Sequence, residues 1–305
     1  MKQLKMGGII PASVISLGCM RMAGLDDNGV DAIMDTALSL GINYFDHADI
    51  YGRGHSEELF GAYLKRHPSV RDTITIQSKC AIHDGQYDFS KEHILEAVDG
   101  SLKRLGVDHL DVLLLHRPDT LMEPEEVAEA FDTLQSAGKV RYFGVSNHNL
   151  WQMELLKTAV KQPLIANQLQ VSMTEAGMIT SGMNVNMKND DSVMHDGGLL
   201  EYTRIKNITI QTWSPLQYGF FKGAFVGSRE LYPELNKALD ELSEAYGVSP
   251  TAIAVAWLLR HPAKMQVIAG TMNPAHLSDL AAAADITLSH ADWYKLYRAA
   301  GHTLP

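Results

Sequence analysis

Short apolar runs alternate along the whole chain with longer stretches in which apolar residues recur every three or four positions. Runs of roughly four to eight β-branched or apolar residues are typical of buried strands, whereas the longer periodic stretches are typical of amphipathic helices. The strands predicted in this way are Val14–Leu17, Asn43–Asp46, Ile74–Lys79, Leu110–His116, Val140–Ser146, Ile165–Gln168, Thr209–Trp213 and Met265–Ala269.

Helical stretches are predicted between these strands. Some are bounded by residues that favour helix ends, such as Ser90 as an N-cap and Gly106 as a C-terminal glycine. The stretches are Val30–Leu40, Ser56–His67, Ser90–Leu105, Pro124–Ala137, Trp151–Lys161, Leu199–Lys206, Thr251–Arg260 and Pro274–Ala284. Two further helices, Glu234–Tyr246 and Ala291–Ala300, lie outside the alternation, and Lys2–Ile10 is predicted to form a hairpin.

Alternation of strands and helices indicates parallel β–α–β units, and eight strands are the number that closes a barrel. We therefore predict an α/β fold, a (β/α)8 TIM barrel with an N-terminal β-hairpin at its floor and two extra helices. Residues 1–305 are expected to form one domain, since such barrels exceed the usual domain length. An open doubly wound sheet is the alternative, but Leu17-Gly18-Cys19-Met20 after the first strand is no Gly-x-Gly-x-x-Gly motif.

Composition narrows the classes of partner. Hydrophobic residues make up 46% of the chain and charged residues 20%, as in ordinary globular enzymes, and a formal charge of −10 disfavours nucleic acid and anionic membranes as partners. No apolar stretch approaches the roughly 20 residues that span a bilayer, so we expect a cytoplasmic protein. Cys19 and Cys80 are expected to be buried, reduced thiols. A monomer or weak homo-oligomer is the default expectation.

Residues capable of catalysis lie at the carboxyl ends of consecutive strands of the predicted barrel: Asp46 ends the second strand and Tyr51 follows it, Lys79 ends the third and His116 ends the fourth. Barrel active sites form at the carboxyl ends of the strands, so these side chains are expected to meet. Taken singly, each of these residues is more simply interpreted as a structural polar side chain that has hydrogen-bond partners at the end of a strand. A cluster on neighbouring strands favours an active site.

Reduction of a carbonyl group needs a hydride and a proton that is delivered to the developing alkoxide. A tyrosine with a pKa of about 10 is a poor acid at neutral pH, and a neighbouring ammonium group lowers that pKa. Lys79 is therefore predicted to lower the pKa of Tyr51, while Asp46 keeps Lys79 charged and oriented. His116 is predicted to hydrogen-bond the carbonyl oxygen of a small-molecule substrate.

The same side chains carry a resemblance to a known family. Asp46-x-Ala48-x-x-Tyr51-Gly52, Lys79 and His116 resemble the Asp-Tyr-Lys-His tetrad of the aldo-keto reductases. Further similar motifs extend across nearly the whole chain: Ser101-Leu102-x-x-Leu105-Gly106, Gly138-Lys139-Val140-Arg141, Gly144-Val145-Ser146-Asn147 and Trp213-Ser214-Pro215-Leu216. Within the family, the string from His47 to Gly52 resembles a bacterial branch of mostly uncharacterised oxidoreductases. The resemblance implies an NADP(H)-dependent enzyme that interconverts carbonyl compounds and alcohols.

The resemblance also implies a cofactor site. Ser146, Asn147 and Gln168 match positions that hydrogen-bond the nicotinamide amide, and Trp213 matches a position where the family usually stacks a tyrosine on the ring. The positions that match the phosphate and adenosine loops are Ser214, Leu216, Gly219, Gly270, Thr271, Asn273 and His276. NADP(H) is the cofactor expected from the family. NAD(H) stays possible, because Met272, Asn273 and His276 replace the cations that commonly bind the 2′-phosphate.

Three other functions are compatible with parts of this pattern. Asp46-His47-Ala48-Asp49 suggests a metal site, but alternation along a strand sends Asp46 and His47 to opposite sides. Lys79 could form a Schiff base with a carbonyl substrate, as in aldolase barrels. The main alternative is an NADP(H)-binding regulatory or redox-sensing subunit with little turnover, since members of the same family act as channel partners.

A long segment, residues 169–198, follows the sixth strand and contains five methionines. Loops of this length are usually functional or disordered. Because the segment follows a strand on the active-site face, we predict a methionine-lined flap over substrate and cofactor. A flexible insertion without a catalytic role is the alternative.

Overall fold

A computed structural model describes residues 1–305 and contains a closed barrel of eight parallel strands. The strands of the molecule are β1 (Gln3–Met6), β2 (Ile10–Ser13), β3 (Ile15–Gly18), β4 (Tyr44–Asp46), β5 (Thr75–Cys80), β6 (Ile82–His83), β7 (Gln86–Tyr87), β8 (Leu110–Leu115), β9 (Val140–Ser146), β10 (Leu164–Gln170), β11 (Thr209–Trp213) and β12 (Gln266–Ala269). Strands β3, β4, β5, β8, β9, β10, β11 and β12 pair in this order, and β12 pairs with β3 to close the barrel. The predicted (β/α)8 fold is confirmed.

Eleven α-helices accompany these strands. They are α1 (Asp27–Ser39), α2 (His55–Arg66), α3 (Lys91–Leu105), α4 (Pro124–Ser136), α5 (Leu150–Leu156), α6 (Gly177–Met183), α7 (Leu199–Lys206), α8 (Pro233–Tyr246), α9 (Pro250–Leu259), α10 (Pro274–Ala281) and α11 (His290–Ala299). Short 3-10 turns occur at Cys19–Gly24, Tyr51–Gly54, Pro68–Thr73, Asp190–Ser192 and Ala282–Asp285. None of the helices combines the length and the apolar composition that a membrane crossing requires.

The predicted helix Trp151–Lys161 is too long. Helix α5 ends at Leu156, where the Lys157 ammonium donates to the carbonyl oxygens of Val160 and Gln162 at 2.9 and 2.8 Å. These bonds stabilise a turn in place of another helical turn. The small hairpin of β6 and β7 and the helix α6 were also not predicted, because their segments are too short for a clear hydrophobic period.

The N-terminal hairpin closes the floor of the barrel as predicted, but its second strand extends to Ser13, beyond the predicted end at Ile10. Strand β1 pairs antiparallel with β2 through a turn at Gly7 and Gly8, whose φ angles of 55° and 74° favour glycine. Buried side chains of the hairpin and of three barrel strands form one apolar cluster there: Leu4, Met6, Ala12, Tyr44, Val112, Leu114, Ile165 and Ala166. The opposite end, where the strands finish, is left for a ligand.

Segment 169–198 packs beside the C-terminal helix. Met173 is completely buried, and its carbonyl oxygen lies 2.6 Å from Nε2 of His302. The Tyr297 hydroxyl donates to Thr180 Oγ1 in α6 at 3.1 Å. None of the residues 169–198 lines the cavity described below. The predicted methionine-lined flap is therefore wrong for this structure, because none of its methionines reaches the cavity: Met173 is buried in the core, and Met187 and Met194 are exposed to solvent.

Helices α2 and α3 approach each other closely at Gly61. A methyl group there would overlap the main-chain oxygen of Arg104 and lie 2.8 Å from that of Leu105. Gly61→Ala is therefore expected to lower the free energy of unfolding by about 1–3 kcal/mol in urea denaturation, because the helices must move apart. In the control Gly100→Ala, the methyl group would meet only the movable end of the Arg104 side chain, so no loss is expected. Equal stability of the two variants would contradict this packing.

Candidate active site

A cavity of about 1040 Å³ opens where the barrel strands end. This volume suits a dinucleotide together with a small substrate. Most of the predicted site residues line it: Asp46, Tyr51, His116, Ser146, Asn147, Gln168, Trp213, Ser214, Leu216, Gly270, Thr271 and Asn273. Lys79 lies beneath its wall, whereas Gly219 and His276 do not reach it.

Lys79 is the centre of the polar cluster, and its side chain is completely buried. Its ammonium group donates to Asp46 Oδ2 at 2.9 Å, to the carbonyl oxygen of His47 at 2.7 Å and to the Tyr51 hydroxyl at 3.1 Å. An ammonium group has three protons and no lone pair, so these contacts use its full donor capacity. The Tyr51 oxygen must accept here, and its own proton is free to point into the cavity.

A tight turn after β4 holds Tyr51 in this position. The main-chain N–H of Asp49 donates to the carbonyl oxygen of Lys79 at 3.0 Å, which keeps the turn beside β5. Gly52 has a φ angle of 59°, and a side chain there would overlap that of Ala23 in the turn after β3. A glycine next to Tyr51 therefore lets two neighbouring strand ends pack closely around the cluster.

The pKa of Tyr51 differs from the sequence-based expectation. Burial raises the pKa of Tyr51 above the ordinary tyrosine value, although the charge of Lys79 opposes this shift. Lys79 lowers this pKa, as predicted, but removal from water and the charge of Asp46 outweigh its effect, so the pKa lies above normal. Tyr51 keeps its proton at neutral pH and can give it only to a much stronger base, such as a developing alkoxide.

Asp46 keeps Lys79 charged despite its burial. Burial alone disfavours the ammonium form, but the Asp46 carboxylate and the Tyr51 oxygen together raise the pKa of Lys79 above its ordinary value. The carboxylate is itself held in place, because the side-chain amides of Gln77 and Gln168 donate to Asp46 Oδ1 at 2.5 and 3.0 Å. The ion pair is thus fully hydrogen-bonded, as a buried pair requires.

A layer of buried glutamines supports the ion pair from below. Its members, each from a different barrel strand, are Gln77, Gln168, Gln211 and Gln266. Gln211 Oε1 accepts from Gln77 and Gln168 at 3.0 and 3.3 Å, and Gln211 donates to Gln266 at 2.8 Å. The sequence interpretation assigned only Gln168 and missed the layer. The available signal was a glutamine in each of four predicted barrel strands, since an amide that is buried in a barrel needs hydrogen-bond partners.

His116 follows β8 and faces Tyr51, with ring centroids 6.0 Å apart in an edge-to-face arrangement. Burial, together with the charges of Lys79 and Arg117, lowers the pKa of His116 well below the ordinary histidine value. The ring is therefore neutral. A neutral imidazole still carries one N–H, so His116 can donate a hydrogen bond to an oxygen in the cavity without adding charge.

The ends of β9, β10 and β11 bring together the residues predicted to bind nicotinamide. Ser146 Oγ donates to the carbonyl oxygen of Gln168 at 3.0 Å, and the Asn147 amide donates to Ser146 Oγ at 2.7 Å. Asn147 Oδ1 accepts from the Trp213 indole at 3.1 Å. These contacts place a row of hydroxyl and amide groups beside an aromatic face on the cavity wall. Such a wall fits an aromatic ring that carries a carboxamide.

The loop after β12 forms another part of the cavity wall. Gly270, Thr271 and Asn273 line it, and the Asn273 side chain caps α10 by accepting from Ala275 N at 2.9 Å. His276 is exposed in the first turn of that helix. Gly219 lies in the loop that follows β11, with a φ angle of 95°.

Arg21 is a cavity residue that the sequence interpretation missed. It lies in the turn after β3, and its Nη1 donates to the carbonyl oxygen of Gly270 at 2.7 Å. It supplies a cation beside the loop where the expected cations are absent. The sequence does show a basic residue shortly after the end of a strand. Its relation to Gly270 is not visible there, because β3 and β12 become neighbours only when the barrel closes.

Asp49, close to Tyr51, is half-buried and forms no salt bridge. Its Oδ1 has no hydrogen-bond partner, and burial together with the nearby Glu57 raises the pKa of Asp49 to about 7. An unfolded chain has an ordinary aspartate pKa of about 4. Between about pH 4 and pH 7 the folded state therefore binds more protons than the unfolded state, so stability falls as the pH rises through this window.

Asp49→Asn is expected to raise the free energy of unfolding relative to the wild type at pH 8 and not at pH 4. The gain is at most about 4 kcal/mol, since each pKa unit corresponds to about 1.4 kcal/mol. Urea denaturation of both proteins at both pH values measures it. A difference between the proteins that does not change with pH would contradict the raised pKa of Asp49.

Relatives of this chain are found among bacterial oxidoreductases. The 6-dehydroglucose reductase of Agrobacterium fabrum is 34% identical over 311 residues, which cover 97% of each protein. The uncharacterised oxidoreductase YcsN of Bacillus subtilis is 34% identical, with 90% of this chain and 89% of that protein covered. A crystal structure of an aldo/keto reductase from Klebsiella pneumoniae in complex with NADP and acetate has a TM-score of 0.79 at 24% identity, covering 100% of this chain and 97% of that one. At this identity the likeness supports the fold.

One family model matches almost the whole barrel. It is described as the aldo/keto reductase family, and the match covers residues 14–300. The match begins just before β3 and ends after α11, so it includes every strand of the barrel and all four residues of the Asp46, Tyr51, Lys79 and His116 cluster. It confirms the oxidoreductase class that the sequence predicts. The chain belongs to the aldo/keto reductase family.

Proposed function

We propose that this protein reduces aldehydes or ketones to alcohols with NADPH, and that Tyr51 gives the proton to the substrate oxygen. The contact of 3.1 Å between Lys79 Nζ and the Tyr51 hydroxyl carries the proposal, because the ammonium must donate and the phenolic proton stays free. The nicotinamide cofactor follows from membership of the family. One relative is named a 6-dehydroglucose reductase, which supports a carbonyl substrate.

Each residue of the cluster has a distinct task in this reaction. A bound nicotinamide would supply the hydride. His116 donates a hydrogen bond that positions the carbonyl oxygen, and Tyr51 transfers its proton to that oxygen as negative charge develops. Lys79 stabilises the tyrosinate that is left, and Asp46 holds Lys79 in place. The positive charge of Lys79 thus lies next to the Tyr51 oxygen, which carries the negative charge after proton transfer.

The proposed cofactor site extends from the cluster to the loop after β12. Ser146, Asn147 and Gln168 would hold the carboxamide, and Trp213 would stack on the ring. The residues proposed to surround the phosphates and the adenosine are Ser214, Leu216, Gly219, Gly270, Thr271, Asn273 and His276. Arg21 supports NADPH over NADH, because it puts a cation beside this loop. Dissociation constants for both cofactors test this preference, and tighter binding of NADH would overturn it.

Oxidation of NADPH in the presence of aldehydes, ketones, sugars and quinones tests the reaction. Many turnovers per protein molecule are expected with at least one class of carbonyl compound. A protein that binds NADPH but completes a single turnover would instead favour the regulatory or redox-sensing subunit. Covalent trapping of the substrate on Lys79 by borohydride would favour Schiff-base chemistry.

A further inference from the structure

Arg117 lies in the cavity wall directly after His116 in the chain. Its guanidinium carbon is 5.7 Å from the ring centroid of Trp213 and 6.0 Å from that of Phe220. No carboxylate pairs with it. Arg71, by contrast, pairs with the Asp111 carboxylate at 3.1 Å. Since aromatic rings offer no ordinary acceptor, the N–H groups of Arg117 are available to a ligand.

The charges on the cavity wall are unbalanced. Asp46 is the only acidic side chain that lines the cavity. Lys79 neutralises its charge, with Nζ 2.8 Å from Asp46 Oδ1. Arg21 and Arg117 are left as the charged groups of the wall. The protein as a whole has a formal charge of −10, so this is a positive cavity in an acidic protein. Such a cavity attracts anions.

The two arginines lie beside different parts of the site. Arg21 is bonded to Gly270 in the loop proposed to bind the cofactor phosphates, and those phosphates account for its charge. Arg117 adjoins His116, which faces the proton donor Tyr51. Its charge reaches His116 strongly enough to help lower the pKa of that ring. Arg117 therefore belongs to the end of the cavity where a carbonyl group would react.

We propose that Arg117 binds an anionic group of the substrate, so that the preferred substrates are aldehydes or ketones that carry a carboxylate or a similarly charged group. The inference rests on the reductase function proposed above and adds the substrate class to it. Guanidinium groups bind carboxylates through two parallel N–H bonds, which fixes direction as well as distance. The rings of Trp213 and Phe220 lie against the guanidinium group and help to hold it in the cavity wall.

Two carboxylate aldehydes and their neutral carboxamides test the proposal. The values of kcat/KM for 4-carboxybenzaldehyde and 4-oxobutanoate are compared with those for the matching amides. The wild type is expected to prefer at least one carboxylate over its amide by about 10- to 100-fold, as for a hydrogen bond to a charged group. Arg117→Gln should remove this preference through KM, whereas Arg117→Lys should keep part of it.

Lys5→Gln is the matched control for loss of a positive charge. Lys5 is exposed on the hairpin at the barrel floor, and its replacement should leave the preference for carboxylates as it is in the wild type. The ratio of kcat/KM for a carboxylate aldehyde to that for its amide could be the same in the wild type and in Arg117→Gln, while both proteins reduce the amide substrates. This result would overturn the role of Arg117 and leave the reductase function standing.

Calorimetric titration of benzoate into the NADPH-loaded protein measures the anion site without turnover. Benzoate should bind the wild type at least about tenfold more tightly than Arg117→Gln, by the same reasoning. Benzoate binding that depends on Arg117 in a protein that reduces none of the aldehydes would support the anion site and contradict the reductase function. Weaker NADPH binding in Arg117→Gln with unchanged benzoate binding would assign Arg117 to the cofactor and overturn the proposal.

Discussion

Replacing Tyr51 by phenylalanine is expected to lower kcat/KM for carbonyl reduction by about 100- to 10,000-fold. The change removes one oxygen atom, which accepts from Lys79 Nζ at 3.1 Å and carries the free proton. Without this acid the developing alkoxide has to take its proton from water. Binding of NADPH should be unaffected. Steady-state kinetics and a direct cofactor titration measure the two effects separately.

Tyr202→Phe is the matched control for this experiment. It also removes a phenolic hydroxyl, but one that bonds to Glu154 at a distance from the cavity, so kcat/KM should not change. Unchanged activity in Tyr51→Phe would refute the proposed proton donor.

Burial raises the pKa of Tyr51, so this residue stays protonated through neutral pH. Titration of Tyr51 should therefore not lower the rate of reduction by the wild type near neutral pH, and should lower it only in the alkaline range.

Replacing Lys79 by methionine is expected to impair both stability and activity. The side chains of Lys79 and Asp46 are 0% and 3% exposed, so the change leaves a buried carboxylate without its cation. Loss of one partner of a buried ion pair typically lowers the free energy of unfolding by about 3–5 kcal/mol, and urea denaturation should show a loss of this size. The value of kcat/KM should fall about as far as in Tyr51→Phe, because the tyrosinate loses its stabilising charge.

The double variant Asp46→Asn/Lys79→Met separates these two effects. An asparagine has nearly the same shape and still offers an oxygen acceptor to Gln77 and Gln168, but it carries no charge. We expect the double variant to regain most of the lost stability and to stay inactive. If activity returned together with stability, Lys79 would have only a structural role. If Lys79→Met alone were as stable as the wild type, the buried ion pair would contribute nothing to the free energy of unfolding.

The architecture of the barrel could be predicted because each of its units is specified by neighbouring residues. Ser90 starts α3 by accepting from the main-chain N–H of His93, and Gly106 ends that helix with a φ angle of 65°. Both signals act within a single helical turn, so they are visible in the sequence. Where local signals were weak, the prediction was less accurate. Helix α5 ends at Leu156 and not at Lys161 because a lysine side chain bonds to the turn that follows.

Positions of the proposed catalytic residues could also be predicted, because strand ends of one barrel lie on one face. The protonation states of these residues could not be predicted. The pKa of Tyr51 depends on how much water its hydroxyl loses, and only the packing of the folded chain determines that. The segment 169–198 was misjudged for the same reason: its sequence allows a flap or a flexible insertion, and only tertiary contacts, such as that of Thr180 with Tyr297, place its first half against the C-terminal helix.

By itself, the sequence determined the (β/α)8 barrel, the hairpin floor and the cluster of Asp46, Tyr51, Lys79 and His116. The tertiary structure decided which side chains support that cluster and which charges stay free. Gln168 reaches Asp46 across 122 residues of chain, and Arg21 reaches Gly270 across 249. Such contacts exist only after the first and last strands have paired. Local patterns act over a few residues, whereas the charge of the cavity depends on closure of the whole barrel.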